Sequence, residues 1–158
     1  MSITTDIVES WRRPRVVVRR HLARGQSEPF AFSLLVAFLV LAFVAQWPGA
    51  SRAAFADGNT PVAPRLLAIA LALLATIPLW YGLAAASRLV ARVFGGRGSW
   101  YGARIALFWS LVAITPLMLL QGMVSGLIGP GPGLTAVGIL AAAGFVIFWA
   151  LALIEVER

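Results

Sequence analysis

The sequence predicts an all-α fold: a polytopic membrane helical bundle of four transmembrane helices, both termini cytoplasmic, preceded by an interfacial Arg-rich helical segment. Three observations predict it. Of the 158 residues, 60% are hydrophobic and 12% charged, and the mean hydropathy is +0.88. A soluble domain is about half apolar and a quarter charged, and a globule of this size needs that polar surface to cover its core. Uncharged runs of bilayer-crossing length occur four times. The basic residues, all thirteen of them Arg, are spread unevenly around those runs.

A crossing needs about 20 mostly apolar residues. The runs at 30–47, 66–86, 105–125 and 134–154 supply them. They divide the chain into a cytoplasmic interfacial amphipathic segment at 1–28 and a four-helix transmembrane domain at 29–158. No connection is long enough for a separate soluble domain.

The first segment mixes Ile7, Val8, Trp11, Val16, Val17, Val18 and Leu22 with six Arg. Pro14 forbids one uninterrupted helix. Two short helical pieces are therefore expected in the interface, apolar side toward lipid or bundle, Arg side toward phosphates. Asp6 with Glu9 three residues later resembles a helix start. Each basic residue near an anionic surface contributes about 1 kcal/mol. Trp11, Arg12, Arg13, Arg15, Arg19 and Arg20 are thus the candidate partner or lipid contacts, although the same Arg residues also fix topology. His21, with no second His and no Cys in the chain, reads as a solvated interfacial side chain and not as a metal ligand or sensor.

Span one is rich in Phe and Leu (Phe30, Phe32, Phe38, Phe43, Leu34, Leu35, Leu39, Leu41). Such bulk suits lipid or a partner surface, which predicts a peripheral helix. The string Arg52-Ala53-Ala54-Phe55-Ala56 faintly resembles a cleavage site, but the preceding region is long and carries three acids, so the segment reads as a retained span. Spans two and three each hold a Pro beside a Thr, Thr76-Ile77-Pro78 and Ile114-Thr115-Pro116, which predicts a kink in both. Small residues four apart (Gly82 and Ala86, Gly102 and Ala106, Gly122 and Gly126, Gly138 and Ala142) allow close backbone approach. They are densest in spans two to four, which are expected to form the tight part of the bundle. Gly129-Pro130-Gly131-Pro132-Gly133 reads as a tight outer turn.

Orientation follows from the Arg count. With a cytoplasmic N-terminus, eleven Arg lie inside, and two, Arg52 and Arg65, lie outside. Trp100, Tyr101 and Trp149 then fall near the inner interface and Trp47 near the outer one.

Composition also excludes chemistry. With no Cys, no Lys and one His, disulfides, thiolate metal sites and lysine Schiff bases are ruled out, and no cofactor or enzyme activity is expected. No charged group lies within the four runs, which argues against ion pumping. The basic balance is explained by membrane orientation, so no nucleic acid partner is expected. Gly95-Gly96-Arg97-Gly98 lacks the ending of a phosphate-binding loop.

Taken together, Trp11-Arg12-Arg13-Pro14-Arg15, Arg19-Arg20, the Gly-Gly-Arg-Gly-Ser-Trp turn at 95–100, the span from Arg104 to Pro116 and the turn at 129–133 resemble the bacterial branch of the Yip-domain family. These are small polytopic proteins related to the Rab-interacting membrane proteins of eukaryotes. The resemblance implies a helical multi-pass protein of the bacterial inner (cytoplasmic) membrane with a cytoplasmic N-terminus and no catalytic residues. The chain differs from the eukaryotic pattern in its four spans, its short N-terminal region and its lack of an Asp-Leu-Tyr-Gly-Pro signature, so no site residue is carried over.

Two functions follow. One is a non-catalytic scaffold or accessory subunit of a larger membrane complex, its partners being anionic lipid head groups and other integral membrane proteins or a second copy. The other is a small facilitative transporter or channel for a neutral or amphipathic solute, with Thr76, Thr115 and Gln121 as polar contacts.

Overall fold

A computed structural model describes residues 3–58 and 61–158; Asn59, used below as a topology marker, lies outside them, as does the N-terminal Ser2. Those residues form eight helices, and none of them is in a strand. Pro14 acts as expected. Helix α1 (Ile3–Ser10) closes when the Arg12 and Arg13 amides donate to the Glu9 carbonyl, and Pro14, pre-set for a first helical turn, opens α2 (Pro14–Ala23). Asp6 and Glu9 do not start a helix. They sit one turn apart within α1, with both carboxylates gripping Arg20 of α2.

Helix α3 (Glu28–Asp57) is capped by the Ser27 hydroxyl, which accepts from the Phe30 amide, and stopped by Gly58 at φ +65°, where a side chain would be strained. Span two is α4 (Val62–Ala75) followed by α5 (Ile77–Val93), and span three is α6 (Trp100–Ala113) followed by α7 (Thr115–Leu127). Both break at the expected Thr–Pro sites, span three by 40°. Helix α8 (Pro132–Glu157) completes the bundle. Three of these stretches, α3, the α4–α5 run and α8, are long and apolar enough to cross a membrane, and the bent α6–α7 pair makes a fourth if counted as one span.

Helix α6 is the axis. It is apolar all round, and a helix of that kind belongs inside a bundle; from Tyr101 to Ala113 only Arg104 escapes burial. Around it pack α3, α5, α8 and the α1–α2 pair. The prediction that span one is peripheral is overturned. Ala31, Leu34, Leu35, Phe38, Leu39, Ala42 and Ala45 form a buried stripe at helical spacing. Gly122 and Gly126 of α7 approach this helix so closely that a Cβ on either would strike the backbone of Ala45 or Pro48. The peripheral helix is span two: α4 buries none of its residues and α5 only Ala84 and Ser87. Gly82 accordingly faces open space.

Outside the hairpin's internal pairs, the salt bridges and charged contacts gather at the two ends of the bundle. At one end Arg104 pairs with Glu28 (2.6 Å), Arg88 with Glu157 (3.1 Å) and Arg19 with Glu155 (2.6 Å). At the other, Arg52 donates to the Gly126 and Leu127 carbonyls (3.2 Å each), and Arg65 pairs with Asp57. The turn at 129–133 is thus held by α3 and is not a bare reversal of the chain. Half-exposed Trp100 and Trp47 mark the two ends, as interface aromatics do.

Candidate functional site: the hairpin at the break in span three

Helices α1 and α2 fold into a hairpin joined at Trp11–Arg13 and wedged against α6 and α8. The salt-bridge network explains why they pair. Arg20 Nη1 reaches Asp6 Oδ1 at 2.8 Å, and its two terminal nitrogens grip the Glu9 carboxylate at 2.9 and 3.1 Å. That forked bond holds the Glu9 carboxyl below its ordinary pKa and raises that of Arg20.

The hairpin's inner side is dry. Val17, Val18, Asp6 and Ser10 are each at most 1% exposed, as is His21. His21 is therefore not the solvated side chain the sequence suggests. Its ring lies 4.3 Å from that of Trp109 and 5.5 Å from that of Phe30. Burial drives its pKa down from 6.5 to about 4, against the pull of Asp6, whose Oδ2 is 3.9 Å from Nε2. Neutral, the ring escapes the larger cost of a buried charge, and both its nitrogens lie buried without a hydrogen-bond partner among the aromatics. Ser10 adds a polar stitch: its hydroxyl donates to the Asp6 carbonyl (2.8 Å) and accepts from the Trp109 indole (2.9 Å).

The deepest contact is made by Trp11. Pro116 has no N–H for the Val112 carbonyl, and the Leu117 amide turns back to Ile114, which leaves the Ala113 carbonyl without its helical donor. Two side chains fill these vacancies. The Thr115 hydroxyl donates to Val112 O at 2.7 Å, and the Trp11 indole donates to Ala113 O at 3.2 Å from 102 residues away. The Trp11 ring also stands edge-on to Phe148, with centroids 5.2 Å apart. Of the two placements expected for this segment, lipid or bundle, the bundle holds: it is built into the break of span three.

The six candidate contact residues separate into two groups. Arg19 and Arg20 are occupied by Glu155 and by Asp6 with Glu9. Arg12, Arg13 and Arg15 make no salt bridge among the described residues, Arg13 acting on Glu9 only through its longer-range charge, and with Pro14, Val16 and Leu151 they line an open cavity of about 320 Å³. Trp11 sits between the groups, half exposed and half docked. Sequence reasoning missed Ser10, Trp109 and Glu155. Trp109 carried a signal as an indole within an apolar run that needs a partner, whereas Ser10 and Glu155, close to charged residues in the sequence, carried none. No group of three or more His, Cys, Asp or Glu that could hold a metal occurs among the described residues. Thr115 is buried with its hydroxyl donating to the Val112 carbonyl, whereas Thr76 and Gln121 meet in one cavity between spans.

Comparison with known proteins gives one match: the Yip1 domain family fits residues 8–156, nearly the whole chain, hairpin included. No curated protein and no solved structure matches it.

Proposed function

This chain belongs to the Yip1 domain family, and on that premise we propose that it is a non-catalytic multi-pass protein of the bacterial inner membrane, both termini cytoplasmic, acting as a scaffold or accessory subunit of a larger membrane complex. The observation that carries this reading is the division of the Arg side chains. Arg19, Arg20, Arg88 and Arg104 each make a salt bridge to a carboxylate of this chain, while Arg12, Arg13 and Arg15 make none among the described residues and surround an open cavity. Guanidinium groups left free beside an aromatic anchor are the residue types that dominate interface energies. They suit acidic groups at the rim of a partner, or lipid phosphates. Span two supplies the intramembrane contact, since only Ala84 and Ser87 of its residues are buried and its outward face is left uncovered by the rest of the chain.

Replacing Arg12, Arg13 and Arg15 together with Gln tests the reading. Co-purification of a partner in mild detergent should weaken while insertion persists, because Arg19, Arg20 and Arg24 still hold the orientation. Unchanged co-purification would place the interface in the membrane alone, and migration of the wild type as a free 16.9 kDa species would overturn the scaffold role. Cysteines at Asn59 and Ser99 should label from opposite sides of the membrane.

A facilitative transporter is the second reading. It is favoured by the cavity of about 370 Å³ that both span breaks, Thr76 and Ile114, help to line. Solute flux into vesicles that is lost in Gln121→Leu would support it.

A further inference from the structure

We propose that the cleft between spans two and four is a binding site for an uncharged amphiphile, a lipid with a hydroxyl or ester head and a hydrocarbon tail, held by the carboxamides of Gln46 and Gln121. This goes beyond both readings above, since it requires neither a protein partner nor movement of a solute across the membrane.

Gln46 on α3 and Gln121 on α7 line the cleft of about 370 Å³, and the same two side chains, with Ser125, line an adjoining space of about 140 Å³. Neither carboxamide is hydrogen-bonded among the described residues. Several hydroxyls in the spans are satisfied locally, while the Trp149 indole, away from this cleft, is another unpaired group. The hydroxyls of Ser33, Thr76, Ser87, Ser110 and Thr115 each donate to a carbonyl three or four residues back, and the Trp80 indole donates to Thr76. In hydrocarbon there is no water to serve a free amide. Two unserved carboxamides facing one space therefore call for a ligand that brings both a donor and an acceptor.

The lining sets the ligand's class. Beyond the two carboxamides and Thr76 the walls are mainly Phe38, Leu73, Met118 and Phe145, with no charged residue. Arg52, the nearest cation along α3, is committed to the end of α7. Gln46 lies six residues inside Arg52, about 9 Å along the helix. A phosphate or carboxylate at that depth would be unpaired and costly, whereas a hydroxyl or ester matches a carboxamide's donor and acceptor. The volume falls in the ordinary range of small-ligand sites, about 300–1,000 Å³. Entry is from the side, because span two packs on α3 and α6 and leaves the face of α8 open.

The test uses the full chain in phosphatidylcholine vesicles with a photoactivatable monoacylglycerol carrying a diazirine in its tail. Labelling should map to the walls around Phe38, Leu73 and Phe145 and should be displaced by unlabelled monoacylglycerol but not by phosphatidic acid. Gln46→Leu with Gln121→Leu, which removes two neutral hydrogen-bonding groups, should lower apparent affinity by about tenfold or more. Gly138→Leu is the second variant: a Cβ there already lies 3.2 Å from Gln121 Nε2, so it fills the cleft from α8 with both carboxamides intact and should abolish labelling. Labelling spread evenly round the bundle, or unchanged in both variants, overturns the proposal. So does a disulfide between copies carrying Gln46→Cys, which would make a second copy the occupant.

Discussion

Replacing Trp11 by Phe removes one hydrogen-bond donor and keeps the aromatic ring, which isolates the contact between the hairpin and the span-three break. Ala113 is 1% exposed, so losing the indole leaves a buried carbonyl unpaired at a cost of about 1–3 kcal/mol. The edge-on contact with Phe148 survives. Trp11→Ala loses that contact too, worth about 1 kcal/mol, along with the apolar area of a side chain about half buried, roughly 2 kcal/mol more. If the hairpin opens as a unit, the Phe variant raises its open population about 5- to 150-fold and the Ala variant further. Limited trypsin digestion of protein in mild detergent reads this directly, because Arg15, Arg19, Arg20 and Arg24 lie in the hairpin or just beyond it. The decisive control is Pro116→Ala, which restores an amide for Val112 O and lets the Leu117 amide return to Ala113 O. In that background Trp11→Phe should have a smaller effect, by about 1 kcal/mol or more of coupling. Digestion of Trp11→Phe at the wild-type rate, or an undiminished effect beside Pro116→Ala, would refute the link between indole and break.

Two further outcomes follow from the packing. Gly122→Ala should destabilise the protein by about 1–3 kcal/mol or abolish folding, since the added methyl meets the Ala45 backbone. Gly82→Ala, at an open helical position, should be neutral or stabilising by up to about 1 kcal/mol; thermal unfolding in detergent separates the two. Acid should loosen the hairpin through His21. Because its pKa falls from 6.5 to about 4 on burial, the opened state binds more protons between those values. Docking strength present above pH 6.5 is thus lost as the pH falls toward 4, by about 3 kcal/mol in all. Asp6 faces the ring directly, with Arg20 and Arg24 nearby. The anisotropy of a dye on Val8→Cys should fall across that window, and His21→Leu should flatten the response.

Much of the architecture was legible in the chain. The four apolar runs, the Pro14 break and the two Thr–Pro interruptions follow from hydropathy and from the missing proline amide, which are local properties. Which span is central was not. In a bilayer an apolar side chain is at home against lipid or protein, so the bulk of span one carried no information about its position. The useful signal was the Ala and Leu stripe from Ala31 to Ala45, matched to Gly122 and Gly126. The hairpin's docking was hidden for a different reason. Arg19 and Glu155 are 136 residues apart, and Trp11 and Ala113 are 102 apart. Charge and aromaticity near a membrane fit a surface segment as well as a docked one. His21 was misjudged because a lone His among Arg, with no second ligand, was read as solvent-facing, whereas Trp109, Phe30 and the hairpin enclose it.

The central claim is that the N-terminal hairpin is part of the bundle. The chain has no Cys, so a paired-cysteine experiment starts from a clean background. Arg19→Cys with Glu155→Cys, treated in native membranes with a short bismaleimide, should give an intramolecular cross-link, because these side chains meet at 2.6 Å. The control pair Arg19→Cys with Ser51→Cys, from opposite ends of the bundle, should give none. Absence of a cross-link in the first pair, with both cysteines reactive toward a monofunctional maleimide, would mean that the hairpin lies free of α8 and would contradict the account.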